Sequence, residues 1–185
     1  MATKIFVDAG HGGPDPGAIA NGVIEQSVNL NVANELARLL RQGGYEVMQY
    51  RTTATENVLS NKNADLRNRA TMANNWGADY FISIHSNSSP NPAANGFEAY
   101  VYRLGGRAEA LAQSIVDSVV ARLGSKDNGV HQANFAVLRL TSMPATLLEL
   151  GYLTNATEAL NLNSPAWQRA VAQAIYDGIY AYVKP

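Results

Sequence analysis

Two histidines and two glutamates fall where an α/β protein commonly carries its chemistry. His11 follows the first apolar run of the chain, and His85 closes a later, strongly β-forming run, DYFISIH. Glu149 lies near the end of the run ATLLEL, and Glu25 opens an amphipathic helix. Because ligands bind outside the carboxyl ends of the strands in open α/β sheets, we expect the four side chains to meet at one sheet edge.

The residue types in this set indicate zinc chemistry. Two imidazoles and one carboxylate are typical ligands of a catalytic zinc that keeps a fourth position open for water. We therefore predict His11, Glu25 and His85 as zinc ligands. Glu149 would act outside the metal shell as the general base and pass the proton to a leaving amine. Its apolar neighbours in LLELGY predict a raised pKa, which suits proton transfer.

Each of these residues also has a simpler interpretation when taken alone. A single histidine at a strand end is more often a hydrogen-bonded loop residue, and Glu25 could be a first-turn glutamate favoured by the helix dipole. Glu149 is harder to dismiss, because burying a carboxylate without a partner is costly. Asp8 could orient a ligand histidine, although satisfying loop amides is the favoured interpretation. His131 could contact substrate or simply be exposed.

The pattern of apolar residues predicts strands that alternate with helices along the chain. Strands are predicted at 4–8, 45–50, 79–85, 96–102, 135–140 and 145–150. Helices are predicted at 25–42, at 59–76 with Ser60 as N-cap, at 106–123, at a short turn capped by Asn155 and from Ser164 onward. We therefore predict a single α/β domain over residues 1–185, with a mixed sheet of about six strands and helices on both faces.

Composition excludes several classes of protein and site. Of the 185 residues, 46% are hydrophobic and 16% are charged, which favours a packed core over disorder. The net charge of -1 and the lack of any basic run argue against nucleic-acid or anionic-membrane partners. The absence of cysteine excludes disulfides and thiolate zinc ligands. The sequence shows no membrane-spanning segment and no signal peptide, so we expect another export route or a chain trimmed from a longer protein.

Seven sequence blocks together carry a resemblance to a known family. They are IFVDAGHGGPDPGA, GVIEQSVNLNVA, LRNRATMANN, ADYFISIHSNSS, GFEAYVY, GVHQANFAVLR and MPATLLELGYLTN. In their order and spacing the chain resembles the zinc-dependent N-acetylmuramoyl-L-alanine amidases of the amidase-3 type, the catalytic domains of bacterial or phage cell-wall hydrolases. The resemblance places the family's metal ligands on His11, Glu25 and His85, and its catalytic glutamate on Glu149.

This resemblance also implies a substrate and a place of action. The substrate would be peptidoglycan, cleaved at the amide between the lactyl group of N-acetylmuramic acid and L-alanine. We expect a monomer that acts outside the cell or in the cell wall, with no nucleic-acid or membrane partner. Two positions depart from the family pattern, His131 in place of a lysine and Ala54 in place of an acidic residue, and both bear on substrate affinity.

The loops near the predicted site suggest an open groove. Because loops at this edge of the sheet would surround the metal, we expect segments 86–95 and 129–135 to border this groove. No blocking helix is evident between His85 and Gly96, which predicts a constitutively open site. Two alternatives stay open: a zinc peptidase acting within the stem peptide, and a non-enzymatic module that binds peptidoglycan. Analysis of the hydrolysis products distinguishes the peptidase from the amidase. Lytic activity measured with and without a chelator distinguishes the binding module from an enzyme.

Overall fold

The computed structural model describes residues 2–184, which contain eight strands and six helices. The strands are β1 (Lys4–Ala9), β2 (Ile19–Ala20), β3 (Val23–Ile24), β4 (Glu46–Gln49), β5 (Tyr80–Asn87), β6 (Phe97–Val101), β7 (Asp127–Gln132) and β8 (Ala145–Tyr152). The helices are α1 (Glu25–Gln42), α2 (Lys62–Trp76), α3 (Arg107–Leu123), α4 (Ala136–Leu140), α5 (Ala156–Leu162) and α6 (Pro165–Tyr182). Within this part of the chain, no helix is both long and apolar enough to cross a membrane.

Six of the strands form one mixed sheet, in the order β4-β1-β5-β8-β6-β7. The first four run parallel to one another, whereas β6 is antiparallel to β8 and β7 runs parallel to β6. The remaining strands, β2 and β3, form a small antiparallel hairpin in the glycine-rich loop between β1 and α1. The predicted α/β class, with its single domain and six-stranded mixed sheet, is confirmed.

Helices cover the two faces of the sheet unequally. On one face, α1, α3 and α6 pack over a large core that includes Val7, Ile84 and Leu148. On the other face, a smaller core around Phe6 and Phe81 packs against α2 and α4. Side chains alternate between the two faces along a strand. A residue two positions before or after a member of this smaller core therefore points to the same, less covered face. The sheet therefore has one closed face and one face with room for a site.

The long helices follow the apolar periodicity of the sequence. In α1, Val28, Val32, Leu36 and Leu40 recur every four residues, and all are buried against the sheet. The helix ends at Gly43, as the sequence predicts. The N-cap of α2 differs from the prediction, because the side chain of Asn61, not Ser60, accepts the hydrogen bond from the Ala64 amide at 2.9 Å. The caps predicted at Asn155 and Ser164 are confirmed.

The segment 135–140 is where the strand prediction was wrong. Phe135 caps a short helix, α4, whose Val137 and Leu138 are buried in the smaller core with α2. The run FAVLRL is apolar without strict alternation, and such a short run does not distinguish a strand from a helix. Packing against α2 selects the helix.

The sixth position of the sheet belongs instead to β7, which the sequence analysis missed. Its sequence, DNGVHQ, has a glycine and mostly polar residues, so it lacks a strand pattern. It lies at the sheet edge and, among the strands of residues 2–184, pairs only with β6, with an irregular register near Phe97. The side chains of β7 are exposed or only partly buried, so the strand needs little apolar periodicity.

Because α3 and α6 approach each other closely at Gly178, we predict that a larger side chain there destabilises the protein. A Cβ at Gly178 would lie 2.6 Å from the Ile115 Cα and 2.7 Å from the Ser114 carbonyl oxygen. Because both atoms are backbone, Gly178→Ala should force the helices apart and lower the free energy of unfolding by about 1–3 kcal/mol. Urea unfolding followed by circular dichroism measures this. Gly106→Ala is the control, since a Cβ at Gly106 meets nothing within 4 Å; an equal loss there would contradict the steric explanation.

Candidate metal centre

Three side chains from separate elements meet at the carboxyl ends of β1 and β5. His11 lies two residues beyond β1, Glu25 is the first residue of α1, and His85 lies within β5. Glu25 Oε1 is 3.1 Å from His11 Nε2 and 3.0 Å from His85 Nδ1. One potential ligand atom from each residue lies within 4.8 Å of the others. The structure therefore brings together the three residues predicted as metal ligands.

Glycines in the loop make room for this cluster. A Cβ at Gly10 would lie 2.3 Å from the Nε2 and Cε1 atoms of His85, and one at Gly17 would lie 2.5 Å from Glu25 Oε2. His11 itself has a φ of 61°, in the left-handed region that non-glycine residues rarely adopt. The glycine-rich sequence thus allows the backbone to approach the ligands closely, and the surrounding contacts hold His11 in an unusual conformation.

Asp15 determines which nitrogen of His11 is free. The Asp15 Oδ2 atom is 2.9 Å from His11 Nδ1, and Asp15 Oδ1 accepts a hydrogen bond from the Gly17 amide at 3.1 Å. Because an ionised carboxylate only accepts hydrogen bonds, the Nδ1 atom carries the hydrogen. When the ring is neutral, its lone pair is then on Nε2, which faces Glu25. When the ring is protonated, Nε2 also carries a hydrogen and donates it to Glu25. A carboxylate in this position is a common partner of metal-binding histidines.

The electrostatics of the cluster favour a cation. Burial alone would raise the pKa of Glu25, but its hydrogen bonds with His11 and His85 lower it far below its usual range. Burial opposes charge on His11, yet Glu25 and Asp15 together raise its pKa above the ordinary value. When the His11 ring is neutral, its Nε2 lone pair and the Glu25 carboxylate are both electron-rich, and a proton or a metal ion between them removes their repulsion. Two nitrogens and one carboxylate are a donor set that fits zinc.

Glu149 stands beside the cluster because of the sheet register. It is the direct neighbour of His85 on β5 and of Glu98 on β6. Its Oε2 atom is buried and has no hydrogen-bond partner among residues 2–184. Burial first, and then the charges of Glu25 and Glu98, raise the pKa of Glu149 well above its ordinary value. A buried carboxyl with an unused oxygen is suited to exchanging a proton with a bound molecule.

A cavity of about 220 Å³ opens at this edge, between α2 and α4. Its lining includes His11, His85, Glu149 and Asp15, with an apolar wall to which Leu66 and Phe135 contribute. Phe135 belongs to one of the two segments predicted to border a groove. The other segment begins next to the cluster, with the Ser86 amide donating to Glu25 Oε1 at 3.2 Å. No helix lies between 88 and 96, in line with the open groove that the sequence suggests.

Two sequence expectations need correction or refinement. Asp8 neither orients a histidine nor satisfies loop amides, because its oxygens accept hydrogen bonds from Arg69 and Ser83, each at 2.7 Å. Asp8 is buried at the end of β1, and both it and its partner Arg69 line the cavity. His131 is half-exposed, with its Nε2 atom 2.8 Å from the Asn128 carbonyl oxygen and 3.6 Å from Glu98 Oε2. It borders the open face of the sheet beside the cluster.

Glu98 is a site residue that the sequence analysis missed. It is buried, and its Oε1 atom accepts hydrogen bonds from Asn87 at 2.6 Å and from the Tyr152 hydroxyl at 2.9 Å. The carboxylate thus ties the ends of β5 and β8 together around Glu149. Its signal in the sequence is a lone acidic residue on the strand GFEAYVY, where a partner must offset the burial of the charge.

The chain is similar in sequence to a known protein family along most of its length. A family model described as N-acetylmuramoyl-L-alanine amidase (Amidase_3) matches residues 5–181. The chain is 35% identical to the N-acetylmuramoyl-L-alanine amidase LytC of Bacillus subtilis strain 168, over 100% of this chain and 36% of that protein. It is 37% identical to the sporulation-specific N-acetylmuramoyl-L-alanine amidase of the same strain, over 95% of this chain and 66% of that protein.

A solved structure agrees with these matches. The crystal structure of an N-acetylmuramoyl-L-alanine amidase from Clostridium difficile 630 superposes with a TM-score of 0.89 at 34% identity, covering 98% of this chain and 96% of that one. The chain spans 36% and 66% of the lengths of the two Bacillus relatives, so it corresponds to a part of each. Since the family model matches nearly all of its length, the chain belongs to the N-acetylmuramoyl-L-alanine amidase family.

Proposed function

We propose that the chain is a zinc-dependent catalytic domain that hydrolyses the amide between N-acetylmuramic acid and L-alanine in peptidoglycan. The observation that carries this proposal is the cluster of His11, Glu25 and His85, whose ligand atoms lie within 4.8 Å of one another in a member of the amidase family. Because its substrate is in the cell wall, the domain would act there or outside the cell. We infer that it works as a monomer on this polymer.

His11, Glu25 and His85 would hold the metal through one atom each. Asp15 keeps the hydrogen of His11 on Nδ1, which leaves Nε2 free to bind. Glu25 supplies a carboxylate whose low pKa keeps it ionised, so it can balance part of the metal charge. When bound, zinc would lower the pKa of a water molecule to about 7 and polarise the carbonyl under attack.

Glu149 would move the proton. Its buried carboxyl takes a proton from the attacking water and delivers it to the nitrogen of the leaving L-alanine. The raised pKa makes Glu149 a stronger proton acceptor than an exposed glutamate, and its unpaired Oε2 atom is available for this exchange. Glu98 contributes to the raised pKa through its charge and holds Asn87 and Tyr152 next to the reaction.

The two alternative functions predict different outcomes. A zinc peptidase would cut within the stem peptide with the same metal chemistry, and it would leave L-alanine attached to the sugar. Mass spectrometry of digested peptidoglycan identifies the bond that is cut, and a free L-alanine amino terminus supports the amidase. A non-enzymatic binding module has no use for a complete ligand set beside a buried proton acceptor, which favours the enzyme.

Zinc removal should abolish activity and lower the melting temperature. The three ligands come from separate segments, and a metal that binds only the folded chain stabilises it by mass action. Turbidity loss of a peptidoglycan suspension and differential scanning calorimetry measure the two effects, before and after treatment with a chelator. Restored activity on zinc addition is the control. Full activity in a preparation shown by elemental analysis to be metal-free would rule out the zinc mechanism.

The two glutamates should respond differently to substitution. Glu149→Gln keeps the side-chain volume and the metal ligands, so zinc should bind stoichiometrically while turnover falls by about 10²- to 10⁴-fold. Glu25→Ala removes a ligand and should lose zinc and activity together. Metal content and turnover on purified peptidoglycan are measured on the same samples. A Glu149→Gln protein that loses its zinc, or that stays fully active with zinc bound, would contradict the assignment of Glu149 as the base.

Glu98→Gln should move the acid limb of the pH–activity profile to lower pH. The negative charge of Glu98 favours the protonated form of Glu149 and so raises its pKa. Removing that charge lowers the pKa, and Glu149 then stays ionised at a more acidic pH. The measurement is the profile of kcat/KM from about pH 4 to about pH 9, the range in which carboxyl and imidazole groups titrate. Glu46→Gln on the far edge strand is the control, and an acid limb that moves upward in Glu98→Gln would contradict the argument.

A further inference from the structure

Arg51 is a fully buried cation whose hydrogen bonds all go to backbone carbonyls. It follows β4 and is 1% exposed. Among residues 2–184 its guanidinium donates no hydrogen bond to a carboxylate. The acceptors are the carbonyl oxygens of Ala9 at 3.0 Å, Gly10 at 2.9 Å, Gln26 at 2.9 Å and Thr53 at 3.3 Å.

The neighbouring Arg69 shows what Arg51 lacks. Arg69 is equally buried, but it pairs with Asp8 at 2.7 Å and with Asp65 at 2.8 Å. Burial, and then the charge of Arg69, lower the pKa of Arg51 to about 10. A buried cation without a hydrogen-bonded carboxylate is unfavourable unless its hydrogen bonds are well satisfied. Ion pairing therefore does not explain why Arg51 is buried at this position. Its hydrogen bonds to backbone carbonyls explain it instead.

One nitrogen of Arg51 connects the segments that carry two of the ligands. The Nη2 atom donates both to the Gly10 carbonyl and to the Gln26 carbonyl, each at 2.9 Å. Gly10 directly precedes His11, and Gln26 directly follows Glu25. A single donor atom thus sets the distance between the loop after β1 and the first turn of α1.

Gly10 also contacts the third ligand. The ring of His85 packs so closely on it that an added Cβ would lie 2.3 Å from the ring. The Gly10 carbonyl accepts a second hydrogen bond from Asn29 Nδ2 at 3.3 Å, and the same nitrogen donates to Glu25 Oε1 at 3.2 Å. The position of the Gly10 peptide therefore affects the positions of all three ligands.

We propose that Arg51 is a positioning residue that sets the mutual spacing of the three metal ligands through the Gly10 carbonyl, and thereby sets the affinity for zinc. The proposal rests on the zinc site of the proposed function. Arg51 touches neither the metal ligands' donor atoms nor the cavity, so it acts only through the backbone. Removing such an outer contact should weaken zinc binding by about 10- to 100-fold.

Arg51→Lys separates the geometry of the guanidinium from its charge. Lysine keeps the positive charge, but its single ammonium cannot reproduce the planar fork that reaches Ala9, Gly10 and Gln26 together. If spacing is what matters, Arg51→Lys should lose zinc affinity nearly as much as Arg51→Met. If the charge alone matters, lysine should restore the wild-type affinity.

The experiment measures zinc affinity and stability on the same proteins. Zinc dissociation constants come from competition with a chromogenic chelator, and urea midpoints come from the metal-free forms. The control is Leu111→Ala in α3, which removes buried side-chain volume on the opposite face of the sheet. We expect both Arg51 variants to bind zinc at least about tenfold more weakly. Leu111→Ala should lose stability and keep the wild-type affinity.

The outcomes distinguish this proposal from the proposed function. If the wild type binds no zinc, the metal site fails and the positioning role fails with it. If the wild type binds zinc and Arg51→Lys binds it equally well, only the positioning role is overturned. It is also overturned if Leu111→Ala loses as much affinity, or if both metal-free Arg51 variants are unfolded. In either case Arg51 would be serving the fold as a whole.

Discussion

The Glu25 carboxylate between two imidazoles is the interaction on which the rest of the site depends. Its Oε1 atom approaches His11 and His85 at 3.1 and 3.0 Å, while the Ala18 amide holds Oε2 at 2.9 Å. This cluster gathers electron-rich atoms that repel one another unless a proton or a metal ion lies among them. The glycines that allow the loop to come so close, and the unusual backbone of His11, are consequences of bringing these three side chains together.

The sheet supplies the spacing for the proton acceptor. His85, Glu149 and Glu98 lie side by side on three adjacent strands, and the chain direction reverses between the second and the third. Because neighbouring residues in register share a face, three ionisable groups point to the side that only α2 and α4 cover. The fully covered opposite face provides most of the core, so the reactive face can remain open.

Behind the ligands, buried charges hold the backbone in place. Asp8, Asp65 and Arg69 form a compact ion-paired group at the end of β1, and Arg69 also donates to the His11 carbonyl at 2.8 Å. Arg51 adds hydrogen bonds to the adjoining carbonyls without an ion pair of its own. The strained loop is thus fixed by an ion-paired group that also lines the cavity, and by Arg51, which does not line it. This arrangement explains why so much charge is buried in a small domain.

Sequence pattern was enough for the α/β class, the long helices and the residue types of the metal set, because periodicity and the ends of strands are local properties. It was not enough for α4, β7, Asp15, Glu98 or Arg51. The run FAVLRL and the polar strand DNGVHQ take their structure from packing against α2 and pairing with β6. Asp15, Glu98 and Arg51 matter through contacts between segments distant in sequence or through a loop conformation without periodicity. Such contacts exist only once the chain has folded, because burial and hydrogen bonding depend on distance in space and not on separation along the chain.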